Sequence, residues 1–147
     1  MQAIPVGVST LRSSRLAYGC WRVAGTWDPA EVTDASRAAG RRAIVTAYEA
    51  GYTLFDNADI YCRGEAERVL GEVLKEVSGM RDRVVIVTKG GIRPEGDPQP
   101  GAPGRYDFSA SSAGPDSRPS KTSTYGLSTS RISSGITRRE RLKSTAM

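Results

Sequence analysis

The chain has 147 residues and a mass of 15.8 kDa, one ordinary domain's worth and too little for a complete large barrel enzyme of about 250 residues. Apolar residues make up 38%, and Gly 16 and Pro 8 leave much irregular backbone, so the core is modest. With His 0 and only Cys20 and Cys62, the composition excludes Ser-His and Cys-His nucleophile pairs, the usual zinc arrangements and a disulfide scaffold. The net charge of +5 resides in the last 38 residues: 1–109 hold 14 basic and 14 acidic side chains, 110–147 hold 7 and 2.

In chain order, residues 15–21 (RLAYGCW) predict a short strand after a polar lead-in over 10–14. Asp28 before Pro29, with Glu31 three residues on, predicts a capped helix start, and Val32, Ala35, Ala39, Ile44, Ala47 and Tyr48 carry its apolar face. Gly40 weakens its middle and Gly51 ends it. Residues 52–56 (YTLFD) form a second strand, and 65–78 the clearest helix, with Ala66, Val69, Leu70, Val73, Leu74 and Val77 on one stripe and Gly79 closing it. Residues 83–88 (RVVIVT) read as a strand buried on both faces.

Strands separated by helices imply right-handed crossovers and a parallel sheet, either doubly wound or the opening of a (β/α) barrel. Both architectures put ligands at the C-terminal strand ends. Those ends carry Gly19-Cys20-Trp21, then the run from Asp56 to Tyr61, then Lys89 with Gly90 and Gly91, the two glycines read as a loop hinge. An ammonium beside a phenol favours phenolate, and a carboxylate holds the ammonium charged; if Asp56, Tyr61 and Lys89 meet, Tyr61 becomes a usable general acid. The two thiols read as packing or reduced side chains.

Residues 110–147 contain 10 Ser and 5 Thr with almost no apolar spacing, and are expected to be a disordered basic tail. With one aromatic, Tyr125, the tail supports nonspecific polyanion contact at most and no specific nucleic-acid partner. No apolar run approaches about 18 residues, and residues 1–12 lack a charged segment followed by an apolar one. The expectation is a soluble, cytoplasmic protein with no membrane partner and no metal.

The run Phe55-Asp56-Asn57-Ala58-Asp59-Ile60-Tyr61, followed by Gly64-Glu65-Ala66-Glu67 and Leu70-Gly71, resembles the aldo-keto reductases. Val85-Ile86-Val87-Thr88-Lys89 resembles the strand bearing that family's lysine, and Gly19-Cys20-Trp21 and Arg105-Tyr106-Asp107-Phe108-Ser109 match further blocks. The resemblance covers 15–109, 95 of 147 residues, as a partial reductase domain ahead of the tail. It implies an NADP-dependent oxidoreductase on the N-terminal part of a (β/α)8 TIM barrel, about three β/α units, using NADPH to reduce a small aldehyde or ketone to an alcohol. By position Tyr61 would donate the proton, Lys89 would lower its pKa and Asp56 would anchor Lys89. Trp21 would line the substrate mouth, and the backbone of Gly19, Cys20 and Trp21, with Asp56, would lie at the cofactor ribose.

The family's fourth catalytic residue is a histidine, and this chain has none. The late strands are absent as well, so the expectation is a truncated reductase, weak or inactive alone, with open sheet edges that invite self-association. The change at Ser109 is what translation in a wrong frame of G+C-rich DNA produces. Residues 132–141 can be spelled so that the neighbouring frame resembles the family's histidine-bearing strand end. The competing expectation is a non-catalytic remnant that binds a partner chain through an open sheet edge.

Overall fold

The computed structural model describes residues 1–109 and the short strand Leu127–Ser128. It opens with a hairpin absent from the sequence reading, β1 (Ala3–Pro5) antiparallel to β2 (Arg12–Ser14), in place of the polar lead-in. Ser14 then locks the hairpin to the main sheet. Its N–H donates to Thr53 Oγ1 at 2.7 Å, and its Oγ accepts from Thr53 N–H at 2.9 Å.

The first parallel strand, β3, spans only Ala17–Gly19, because the chain turns into a 3-10 helix at Cys20–Arg22. The predicted helix start is also corrected. Asp28 does cap, accepting from Ala30 N–H at 2.9 Å, but what it caps is a separate 3-10 turn, Pro29–Glu31, which extended Val32 ends. Glu31 accepts from Thr26 Oγ1 instead of reaching back to the cap. Helix α1, Asp34–Glu49, starts at a second signal, a reciprocal capping box between Thr33 and Ser36.

Strand β4 (Leu54–Asp56) and helix α2 (Glu65–Glu76) fall inside the predicted spans. Gly79, at φ 71, leads into a helical turn, α3 (Met80–Arg83), so Arg83 is not in the strand; β5 runs Val85–Lys89 and includes the lysine. A second hairpin follows, β6 (Ile92–Arg93) with β7 (Arg105–Tyr106). Of the tail expected to be disordered, Leu127–Ser128 form β8, antiparallel to the end of β5; the rest lies outside the described residues.

The main sheet has the order β3-β4-β5-β8, with β3, β4 and β5 parallel. Register sets Tyr18, Phe55 and Ile86 in one row and Gly19, Asp56 and Val87 in the next. Side chains alternate across a sheet, so the two rows face opposite ways. Phe55 and Ile86 pack with Ile44 of α1, with Val69, Leu70 and Val73 of α2 and with Met80, all buried, and Tyr18 joins from the edge. The other face carries Ala17, Leu54, Val85 and Val87, none of them fully buried, so β5 is not buried on both faces as its composition predicts.

The two helices are pinned by charge. Arg37 pairs with the buried Glu65 carboxylate at 2.9 Å, and Arg41 pairs with Glu72 and Glu76. Gly40 has a steric role that its helix propensity hides: a Cβ there would lie 1.9 Å from the carbonyl oxygen of Val23. Among the described residues no helix is long and apolar enough to cross a membrane, and no group of three metal-ligating side chains occurs.

Gly40→Ala gains about 1 kcal/mol in helix propensity, yet the backbone contact makes it destabilising by about 1–3 kcal/mol net. Urea denaturation reads this directly, and a variant as stable as wild type would remove the close approach as the reason for glycine. The Cys20 thiol gives a second test. Fully buried and beside Asp56, with Lys89 pulling the other way, it is pushed up to about 12 from 9.0. Between those values the unfolded chain has released the proton and the folded chain keeps it. Stability therefore falls as pH rises through that window, by up to about 1.4 kcal/mol per pH unit. Thermal melts at increasing alkaline pH should show a shallower loss in Cys20→Ala than in wild type; equal slopes would place the titration elsewhere.

Candidate active site

The sheet brings Asp56, Tyr61 and Lys89 to one rim. Lys89 Nζ donates to Asp56 Oδ1 at 2.5 Å and to the carbonyl oxygen of Asn57 at 2.8 Å, and it stands 5.0 Å from the centroid of the Tyr61 ring. Partial burial lowers the lysine pKa, but the hydrogen bonds to Asp56 and Tyr61 outweigh it and leave the group above its ordinary 10.5. The ammonium stays charged at every physiological pH. Both partners of the ion pair are more than a third exposed, so its worth is in positioning rather than in folding energy.

Backbone bonds continue past the end of β4 and set the spacing. Asn57 N–H donates to Val87 O at 2.7 Å, Lys89 N–H to Asn57 O at 3.2 Å and Asp59 N–H to Lys89 O at 2.9 Å. The segment then folds back, with Tyr61 N–H donating to Ala58 O at 3.1 Å. Tyr61 opens a tight bend, Tyr61–Gly64, in which Cys62, Arg63 and Gly64 all take positive φ, at 47°, 49° and 90°. Two successive non-glycine residues in the left-handed region are strained, and such strain persists only where the surroundings impose it. Here buried Cys62 fills the core side of the bend, its thiol pushed up chiefly by burial.

Further residues hold the rim, and sequence reasoning gave them no role. Thr88 Oγ1 donates to Glu67 Oε1 at 2.5 Å, tying the end of β5 to α2. Asn57 is 1% exposed, with Oδ1 accepting from Ala58 N–H and a buried Nδ2 that has no partner among the described residues. Asp59 is raised in pKa by burial, opposed by the N–H groups of Ile60 and Gly91 and by Arg93. Gly90 and Gly91, read from the sequence as a loop hinge, have packing reasons to be glycine. A Cβ on Gly90 would lie 3.2 Å from Asp59 Oδ2, and Gly91, at φ 100, lies under the Phe108 ring.

Gly19 pairs with Asp56 across the register, so the Gly19-Cys20-Trp21 segment reaches the same rim. Cys20 is sealed in the core beneath it, while Trp21 is half exposed. A Cβ built on Gly19 would meet nothing within 4 Å, leaving open space against the backbone next to Asp56. Open backbone at Gly19 beside the Asp56 carboxylate fits a flat polar ring with attached sugar hydroxyls, whereas the Asn57 amide is sealed inside. Surface depressions of about 510 Å³ (around Arg37 and Arg41) and 370 Å³ (between Tyr18 and Gly40) are not lined by the three residues, although the second reaches Gly19.

The aldo/keto reductase family matches this chain over residues 15–118, past Ser109 where the motif resemblance stops. A 6-dehydroglucose reductase of Agrobacterium fabrum is 40% identical over 82 residues, 56% of this chain and 26% of its own length. An aldo-keto reductase of Bacillus halodurans, solved in its holo form, superposes with a TM-score of 0.58 at 28% identity, covering 76% of this chain and 32% of that one. A glycerol dehydrogenase of Gluconobacter oxydans gives a TM-score of 0.52 at 26% identity over 62% of this chain and 26% of its own. The chain spans about a quarter of the length of the curated relatives it matches. Because the match at 15–118 takes in most of the chain and all three parallel strands, this protein belongs to the aldo/keto reductase family of oxidoreductases, whose fold is the (β/α)8 barrel.

Proposed function

We propose that the rim formed by Asp56, Tyr61 and Lys89 is the proton-transfer centre of an NADPH-dependent reductase that converts an aldehyde or ketone to an alcohol. The observation that carries the reading is the single ammonium of Lys89, held by Asp56 on one side and set against the Tyr61 ring on the other. NADPH, when bound, supplies the hydride that reaches the carbonyl carbon. Tyr61 gives its phenolic proton to the carbonyl oxygen, so the C=O bond becomes C–OH and the negative charge passes to the tyrosine oxygen. Lys89 stabilises that charge, and Asp56 keeps the ammonium oriented. The backbone at Gly19, Cys20 and Trp21, with Asp56, is the proposed contact for the cofactor ribose, and Trp21 the wall of the substrate mouth.

Fluorescence titration of the full chain should give saturable NADPH binding, and added aldehyde should drive NADPH oxidation only slowly, since three parallel strands carry the site. Tyr61→Phe should lower the turnover rate by at least about 10²-fold with NADPH affinity unchanged, the size of a lost general acid. Lys89→Met should lower turnover comparably. A folded chain that binds no NADPH, or turnover indifferent to Tyr61→Phe, would overturn this function.

A further inference from the structure

Helix α2 opens with two carboxylates that serve different neighbours. Glu65 is buried and takes Arg37 at 2.9 Å and Arg68 at 3.4 Å. Glu67 makes no ion pair among the described residues; it accepts from Thr88 Oγ1 at 2.5 Å. Thr88 alternates with Ile86 and so faces the helices, whereas Lys89 faces the other way with Val87 and Asp56. The Glu67–Thr88 bond therefore lies on the helix side of the sheet, and the ammonium lies on the opposite side, one peptide unit along.

The two elements that this bond joins are the ones that carry the phenol and the ammonium. Helix α2 continues directly from the bend Tyr61–Gly64, whose left-handed residues leave it little freedom and whose Cys62 is sealed in the core. Tyr61 is thus fixed relative to α2. Lys89 is fixed relative to the end of β5, because its N–H donates to Asn57 O and its carbonyl oxygen accepts from Asp59 N–H. Among the described residues the Glu67–Thr88 contact is the one side-chain hydrogen bond between α2 and β5. The balance of charge at the ammonium is set by burial, Asp56 and Tyr61, so Glu67 acts on it through the backbone.

We propose that Glu67 is a positioning residue: by bonding Thr88 it holds β5 against α2 and so sets the Lys89 ammonium at its place 5.0 Å from the centroid of the Tyr61 ring. Its bearing on proton transfer rests on the reductase reading of the rim.

The ring current of Tyr61 shifts protons above its face upfield, so the ε-methylene signal of Lys89 in ¹³C–¹H NMR of the full chain reports the placement without cofactor or turnover. Tyr61→Leu identifies the shift by abolishing it. Glu67→Ala and the near-isosteric Thr88→Val should each move the signal toward its free-lysine position, and the double variant should move it no further than either alone. Glu67→Gln and Thr88→Ser keep acceptor and donor and should retain most of the shift. NADPH oxidation should fall about tenfold in Glu67→Ala at unchanged NADPH affinity, part of the ~10²-fold loss that a 1 Å misplacement carries. Glu76→Ala, which removes a tie between α1 and α2 at Arg41, is the control: it should lower the urea midpoint and leave the Lys89 signal in place. An unmoved signal in folded Thr88→Val, Glu67→Gln behaving like Glu67→Ala, or an equal movement in Glu76→Ala would overturn the assignment. The expected NMR pattern with turnover indifferent to Tyr61→Phe would remove the reductase reading and leave the positioning contact. Tyr61-dependent turnover with an unmoved Lys89 signal would remove the positioning contact alone.

Discussion

The Phe55 ring sets the arrangement of everything else. It is fully buried on the central strand β4, between Tyr18 and Ile86 in register, and it meets both α1 and α2. Because a strand alternates, fixing Phe55 toward the helices fixes Asp56 on the opposite face, and register carries Gly19 and Val87 with it. Lys89, two residues beyond Val87, joins that face. A slip of one residue would place the carboxylate against Ile44 and Val69, where its charge has no partner, so apolar burial protects the position of the ion pair.

Support for the ion pair is layered around it. The ammonium also bonds the Asn57 carbonyl, the strand that carries it is tied to α2 through Thr88 and Glu67, and the segment that carries Tyr61 is stitched to the same strand by Asn57 and Asp59. None of these contacts is large in energy. Together they fix three side chains drawn from two strand ends and one turn, and fixed charge placed beforehand is what makes such a site effective.

Much of this was legible in the residues. The stripe from Ala66 to Val77 and the β-branched run before Lys89 have one physical reading each, and the helix and strand lie there. Alternating strands and helices required a parallel sheet, and a parallel sheet sends its chemistry to the C-terminal ends. Asp28-Pro29 misled because a cap signal says that a turn begins, not that it lasts; Thr33 and Ser36 supply the cap that leads into sixteen helical residues. Gly40 reads as a weak helix residue until its distance to Val23 is known. The hairpin at the N-terminus depends on Ser14 and Thr53, 39 residues apart, a pairing that no local pattern encodes. Nor does a local pattern place Glu67 against Thr88.

The bend at Cys62, Arg63 and Gly64 restricts which sequences can occupy this part of the chain. Glycine adopts a left-handed backbone freely and asparagine or aspartate nearly so, while valine, isoleucine and threonine are driven out of it by their branched Cβ. At position 62 the side chain must also be small enough to be sealed in the core. The tolerated alphabet there is therefore short for reasons of backbone shape, although neither Cys62 nor Arg63 touches the proposed reaction. Tyr61 is thus presented by a turn whose variation is limited by conformation, which lets the residues around the rim diversify while the phenol keeps its place.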